Sequence, residues 1–278
     1  MPRIEWGNRF CTCHLITECE RVQGVAEDVF GPWKASLVER PFGPWRITAS
    51  DGGWEVCRPP EMASLSEFFD LPNEFATPEL AVKAVEFQAV GASISLQGAP
   101  LGFHGALLER GGVGLALVGI KEAGKSTLSA ALASSGWQLL TDDAFQLEET
   151  ELRAFPVARR ARLRAGSREH LPESIWTELS TRKGSMVQED GGVLYHPSFC
   201  PDGVLLTHLV LLSSEPGKLR ELEESELMLR SVVHSHTYHC EGLPSSLAKI
   251  ASLSNRVRGF EMGRMPLQDQ ARVLRSLS

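Results

Sequence analysis

No run of about 18 or more apolar residues occurs in this 278-residue sequence, so no membrane-spanning helix is encoded. The opening Met-Pro-Arg-Ile-Glu-Trp lacks the basic region and apolar core of a secretory signal, and a cytoplasmic location is expected. An excess of positive charge is also missing. The 28 Lys and Arg against 35 Asp and Glu leave a net charge of −7, which argues against broad electrostatic binding to nucleic acid or anionic lipid. The six cysteines lack the paired spacing of structural zinc sites. Cys11, Cys13, His14 and Cys19 form one loose cluster, and His234, His236, His239 and Cys240 form another. Neither gives two clean ligand pairs, so reduced structural thiols are expected.

What remains is enough chain for one large domain or two smaller ones. Residues 1–91 read as a small β-rich N-terminal domain. Trp45–Ser50 and Trp54–Arg58 flank Asp51-Gly52-Gly53 and read as a hairpin. The tetrapeptide Phe-Gly-Pro-Trp occurs at 30–33 and at 42–45, suggesting two similar strand starts. Thr77-Pro78-Glu79 reads as a helix N-terminus, with Gly91 as its end. Residues 92–278 then alternate strands and helices, the pattern of a central β-sheet flanked by helices. A hairpin over Leu101–Leu108 and Val113–Val118 is expected to lead into a helix from Ser126 to Ser135. A short strand ends at Asp142-Asp143, and the apolar run Val204–Leu212 reads as a strand buried on both faces. Helices over Leu222–Val233, Ser245–Ser254 and Leu267–Leu277, with a strand at Val257–Met262, complete the chain.

The informative stretch is Gly119, Ile120, Lys121, Glu122, Ala123, Gly124, Lys125, Ser126 and Thr127. It fits G-x-x-x-x-G-K-[ST], the phosphate-binding P-loop, and it follows an apolar strand and precedes a helix. Backbone N–H groups in such a loop wrap a phosphate at the positive end of the helix. The glycines leave room for that approach. Lys125 would place its charge on the β- and γ-phosphates, and Ser126 would ligate Mg2+. Nucleotide binding is therefore expected.

Three further features carry open alternatives. Asp142-Asp143 reads either as a turn or cap, or as the carboxylates a Mg2+-nucleotide and a phosphoryl acceptor require. His104, alone on the strand before the loop, ordinarily reads as a core residue. Arg159, Arg160, Arg162 and Arg164, with Arg153 nearby, form a basic cluster without intervening acid. If extended, this segment puts Arg160, Arg162 and Arg164 on one face. It is either a solvated strand edge or a contact for phosphate or an acidic partner.

Phe103-His104-Gly105, Gly112-Val113-Gly114, the loop itself, Gly136 and Asp142-Asp143 together resemble the catalytic core of HPr kinase/phosphorylase. That resemblance, over about residues 101–147, implies a P-loop kinase domain using ATP and Mg2+. Lys125 would bind the β- and γ-phosphates, and Ser126 and Asp142 would hold the metal. One of Asp142 and Asp143 would act as base toward a serine hydroxyl, with His104 tuning its charge. The bifunctional family members are hexamers, so a homo-oligomer is also implied. Two departures narrow the reading. Thr127 stands where the family has Glu, and residues 148–200 contain no Glu-x-Arg-Gly-x-Gly segment. The absence of that segment argues against HPr itself as acceptor and against the reverse phosphorolysis. The chain resembles instead the broader HPr-kinase-related group, some of whose members modify peptides such as lasso-peptide precursors.

The expectation is an α/β protein: a P-loop kinase domain with a small β-rich N-terminal domain, phosphorylating a serine hydroxyl of a peptide or protein. Arg160, Arg162 and Arg164, with the N-terminal domain, are the candidates for acceptor recognition. The rivals are a kinase of a small-molecule hydroxyl and a non-catalytic nucleotide sensor.

Overall fold

The computed structural model describes residues 2–7, 10–33, 41–60, 62, 72–95, 100–236 and 243–277. The fold is mixed α/β, and the chain divides into two compact units, 1–99 with 157–159, and 100–156 with 160–278. Among the described residues no helix is long and apolar enough to cross a membrane.

The first unit is a five-stranded sheet with strands in sequence order: β1 (Arg3–Gly7), β2 (Thr12–Ile16), β3 (Pro41–Ser50), β4 (Gly53–Cys57) and β5 (Glu74–Phe75). The expected hairpin is present, with Ser50 opposite Gly53 across the Asp51-Gly52 turn. Helix α1 (Glu20–Phe30) buries Val22, Ala26, Val29 and Phe30, the spacing of one helical face. Trp6 stacks on Phe30 with ring centroids 3.9 Å apart. The buried Trp45 indole N–H donates to Gln88 Oε1 at 2.9 Å, so its polar edge is satisfied.

Two expectations for this unit need correction. Helix α2 (Pro78–Ser95) is capped by Thr77, whose hydroxyl accepts the Leu80 N–H, but it does not stop at Gly91. Val90 and Ala92 on either side are buried, and this packing outweighs the roughly 1 kcal/mol helix penalty of one glycine. The compact units accordingly divide after residue 99, beyond the expected boundary at 91. The Phe-Gly-Pro-Trp echo marks no shared structure either. Its first copy ends α1 and forms the 3-10 turn Gly31–Trp33, whereas the second lies inside β3.

The second unit begins with the expected hairpin, β6 (Leu101–Arg110) and β7 (Val113–Gly119). Gly111 and Gly112 turn it at φ 58° and 88°, values open to glycine and suited to the twist of a two-residue hairpin. Then follow α3 (Lys125–Ala133), β8 (Gln138–Thr141), β9 (Ala144–Glu148), β10 (Arg153–Pro156), β11 (Ala161–Leu163), α4 (Glu173–Thr181), β12 (Met186–Val187) and β13 (Val193–Tyr195). The chain continues through β14 (Val204–Pro216), β15 (Leu219–Glu221), α5 (Glu224–Val232), α6 (Leu243–Ser254), β16 (Arg258–Arg264) and α7 (Leu267–Arg275).

The main sheet runs β10-β9-β6-β7-β14-β16-β15, with β8 also on β6, while β11, β13 and β12 form a small separate sheet. The sheet is mixed rather than parallel. Strand β14 is parallel to β7 and β16, but β7 has the antiparallel β6 on its other side. A two-residue turn permits no crossover, so it imposes antiparallel pairing. Helices α3, α4 and α7 cover one face through Leu128, Leu132, Trp176 and Leu274. Helices α5 and α6 cover the other through Leu227, Val232, Ile250 and Leu253. With both faces covered, β14 reads as a nearly continuous apolar run.

The feature that positions the site is the pairing along β6. Leu107 faces Thr141 of β8, and His104 faces Ala144 of β9. These two pairs share one register, so β8 and β9 behave as a single strand interrupted at Asp142-Asp143. The interrupted positions lie opposite Ala106 and Gly105, where the Gly105 N–H still donates to the Asp143 carbonyl at 3.0 Å. On its other edge Gly105 faces Val118, the penultimate residue of β7. A Cβ here would fall 2.5 Å from the Leu117 carbonyl oxygen and 2.8 Å from a Val118 methyl. Gly105→Ala should therefore destabilise by about 1–3 kcal/mol, the usual cost of overpacking. Urea denaturation measures it, and an unchanged midpoint would contradict this register.

Candidate functional site

The loop after β7 is shaped by close approach and by two left-handed residues. Gly119 faces Leu212 of β14, and a Cβ on it would meet the Leu212 carbonyl oxygen at 2.8 Å. Gly124, at φ 88°, starts helix α3 without a side-chain cap, so the first-turn N–H groups have no capping side chain. Glu122 is also left-handed, at φ 70°, an unusual conformation for a residue with a side chain.

Lys125 is buried and folds back along the loop. Its Nζ donates to the carbonyls of Gly119 at 2.7 Å and Ile120 at 3.0 Å. Burial lowers its pKa, and the neighbouring carboxylates of Asp143 and Asp142 oppose that shift, while Arg164 adds to it. The loop lysine and both aspartates thus lie within electrostatic reach of one another. Thr127 is engaged elsewhere, its hydroxyl 2.9 Å from that of Ser167. The hydroxyl of Ser126 has no side-chain or backbone partner among the described residues.

The two aspartates occupy different environments. Asp142 is buried, and its Oδ2 accepts the Arg162 backbone N–H at 3.0 Å. Tyr195 lies near it. This phenol is buried with no hydrogen-bond partner for its hydroxyl among the described residues, and burial followed by the Asp142 charge pushes its pKa up. Asp143 is more open, with its side chain 25% exposed, and its Oδ1 lies 3.7 Å from His104 Nδ1. That distance suits charge interaction and is too long for a direct hydrogen bond.

His104 brings with it two residues that the sequence did not flag for this place. Its backbone N–H donates to the His234 carbonyl at 3.3 Å. Its ring meets that of His236 edge-on, with centroids 6.1 Å apart. A lone β-bridge between Phe103 and Ser235 holds the two segments together. His234 is held below the ordinary imidazole pKa by burial first, then by the charges of Lys125 and His104. As a metal candidate His234 was grouped with His236, His239 and Cys240, of which the last two lie outside the described residues. Among the described residues no group of three or more His, Cys, Asp or Glu side chains is placed to hold a metal ion. In the other cluster, Cys11 Sγ lies 3.9 Å from Cys13 Sγ, while His14 faces Glu5 and Arg3.

The expected row of arginines forms only in part, through Arg162 and Arg164, which are exposed on either side of the buried Leu163. Strand β11 is only three residues long, and Arg160 precedes it and is 2% exposed. Arg162 pairs with Asp190 at 3.0 Å, and Arg164 pairs with Glu122 of the loop at 2.9 Å. Arg159 belongs to the first unit, where its guanidinium stands over the Phe87 ring. One basic run is thus divided among four different neighbourhoods.

No protein-family model and no curated protein matches the chain. Among solved structures it is similar to the HPr(Ser) kinase/phosphatase from Coxiella burnetii, at 14% identity and a TM-score of 0.31, over 63% of this chain and 87% of that one.

The electrostatic link between Lys125 and His234 is directly testable. Lys125→Met should raise the His234 pKa, read from the imidazole resonances by NMR. An unmoved His234 would separate the two groups. The half-buried His234 imidazole also ties stability to pH. Because its folded pKa is depressed, that contribution is whole above the unfolded imidazole value and is lost as pH falls through the folded one.

Proposed function

We propose that this chain is an ATP- and Mg2+-dependent kinase that transfers the γ-phosphoryl group to a serine hydroxyl of a peptide or protein. The observation that carries the reading is the interruption between β8 and β9. It puts two carboxylates within electrostatic reach of the loop lysine, one of them beside a histidine. Nucleotide binding alone would need fewer such groups.

The residues fit the nucleotide and the metal. The loop's backbone can approach phosphates closely because Gly119 and Gly124 carry no side chain. The ammonium of Lys125 would exchange its two loop carbonyls for β- and γ-phosphate oxygens. Ser126 offers a hydroxyl without a partner among the described residues, and Asp142 offers a carboxylate fixed in place by the Arg162 N–H. These two are the groups we assign to Mg2+, which when bound would neutralise phosphate charge. Asp143 is the more open carboxylate, and we assign it as the base. It would take the proton from the acceptor hydroxyl as the new O–P bond forms and the bond to the departing ADP breaks. His104 beside it would stabilise the carboxylate while the acceptor binds and ease its recharging afterwards. Of the three arginines offered for acceptor recognition, buried Arg160 is poorly placed to meet a peptide. Half-exposed Arg162 remains a candidate.

Incubation with γ-labelled ATP and a cell peptide fraction should yield label on peptide serine. Lys125→Ala should abolish the transfer. Asp143→Asn should lower turnover at least about a hundredfold, the low end of a general-base contribution, without a changed Mg2+ requirement. Asp142→Asn should raise the Mg2+ requirement as well. Label appearing on a small metabolite instead would reassign the acceptor class. ATP bound but never consumed would make the chain a sensor and overturn the kinase reading.

A further inference from the structure

The ion pair between Glu122 and Arg164 sits oddly for a phosphate loop. A carboxylate on that loop has the same sign as the ligand the loop is built to attract. Glu122 holds this position in a left-handed conformation, at φ 70°. Its one ionic partner among the described residues is the Arg164 guanidinium, at 2.9 Å. That arginine holds the Glu122 carboxyl below its ordinary range. Arg164 also lies within electrostatic reach of Lys125.

The backbone around Arg164 is fixed on both sides. Two residues before it, the Arg162 N–H is anchored on Asp142 Oδ2. Three residues after it, the Ser167 hydroxyl meets Thr127 in the first turn of α3. Arg164 itself leads into the short 3-10 turn Ala165–Ser167, whose Ser167 N–H donates to the Arg164 carbonyl at 2.9 Å. The side chain, by contrast, is 52% exposed and, among the described residues, bound only through this one pair. A fixed backbone with a loosely held guanidinium can change partners by rotating the side chain alone.

We propose that Arg164 is a binding residue for the terminal phosphate of the nucleotide and that Glu122 is its resting partner, displaced when that phosphate arrives. An exposed carboxylate pair is weak, whereas a guanidinium fork on a phosphate gains two parallel charge-assisted hydrogen bonds. The exchange therefore runs toward the phosphate. It also removes Arg164 from the acceptor-binding group to which its place in the sequence had assigned it. The proposal rests on the nucleotide-binding reading above and adds to it a residue that distinguishes a triphosphate from a diphosphate.

Titration calorimetry with Mg-ATP and Mg-ADP tests both levels separately. Wild-type protein that binds neither nucleotide overturns the nucleotide reading, and this inference with it. If it binds, Arg164→Ala should weaken ATP about tenfold, one charge-assisted contact's worth, and ADP by less than about twofold. Glu122→Gln should tighten ATP severalfold by freeing the arginine, again with little effect on ADP. Arg164→Lys should recover only part of the ATP affinity, because the fork is lost. Should Arg164→Ala fail to fold, the exposed Glu122→Gln variant carries the test alone. Equal effects on ATP and ADP, or a Glu122→Gln protein with wild-type ATP affinity, would overturn the proposal while leaving the nucleotide reading in place.

Discussion

Gly105 lies where two strand pairings meet on β6. On one edge it faces Val118, one residue before the loop at 119–127 begins, and on the other it receives the Asp143 carbonyl onto its N–H. The absence of a side chain is what allows the Leu117 carbonyl and Val118 to come so close. The separation of the loop from the aspartates is thus set by a single strand's width, roughly 5 Å on each side. His104, the preceding residue, is carried to Asp143 by the same register. The proposed nucleotide site and base inherit their positions from this one strand, with its two faces buried under helices.

Charge is arranged around that frame so that Lys125 and the two aspartates each have a compensating partner. Burying an ammonium or a carboxylate without a partner is costly. Lys125 has two loop carbonyls and the field of two aspartates. Asp142 has a backbone N–H. Asp143 keeps some exposure and the company of His104. The two carboxylates, adjacent in sequence, therefore differ in openness and in partners, and this asymmetry underlies the division of labour proposed for them.

The loop at 119–127 was legible in the sequence because its geometry is local. Nine consecutive residues carry it, with glycine at the close approach of position 119 and at the left-handed position 124. The β6–β7 hairpin was legible for the same reason, through Gly111 and Gly112. Long-range placement was not. Nothing near His234 or His236 in sequence points to His104, since the single bridge from Phe103 to Ser235 brings them there. Tyr195 reaches the neighbourhood of Asp142 through the small sheet, where it faces Ala161. In the arginine run the expected common face fails at Arg160, which is buried while Arg162 and Arg164 are exposed. Helix α2 outran Gly91 because burial, which a sequence window cannot see, outweighed propensity.

The central claim is that the loop at 119–127 and the interruption at Asp142-Asp143 form one nucleotide site. Amide hydrogen exchange, with and without saturating Mg-ATP, addresses it at the level of the backbone. The account predicts slower exchange for the loop amides from 120 to 127 together with those of 142 and 143, while the β1–β5 sheet keeps its rates. Protection confined to the loop, or absent from both segments, would contradict it.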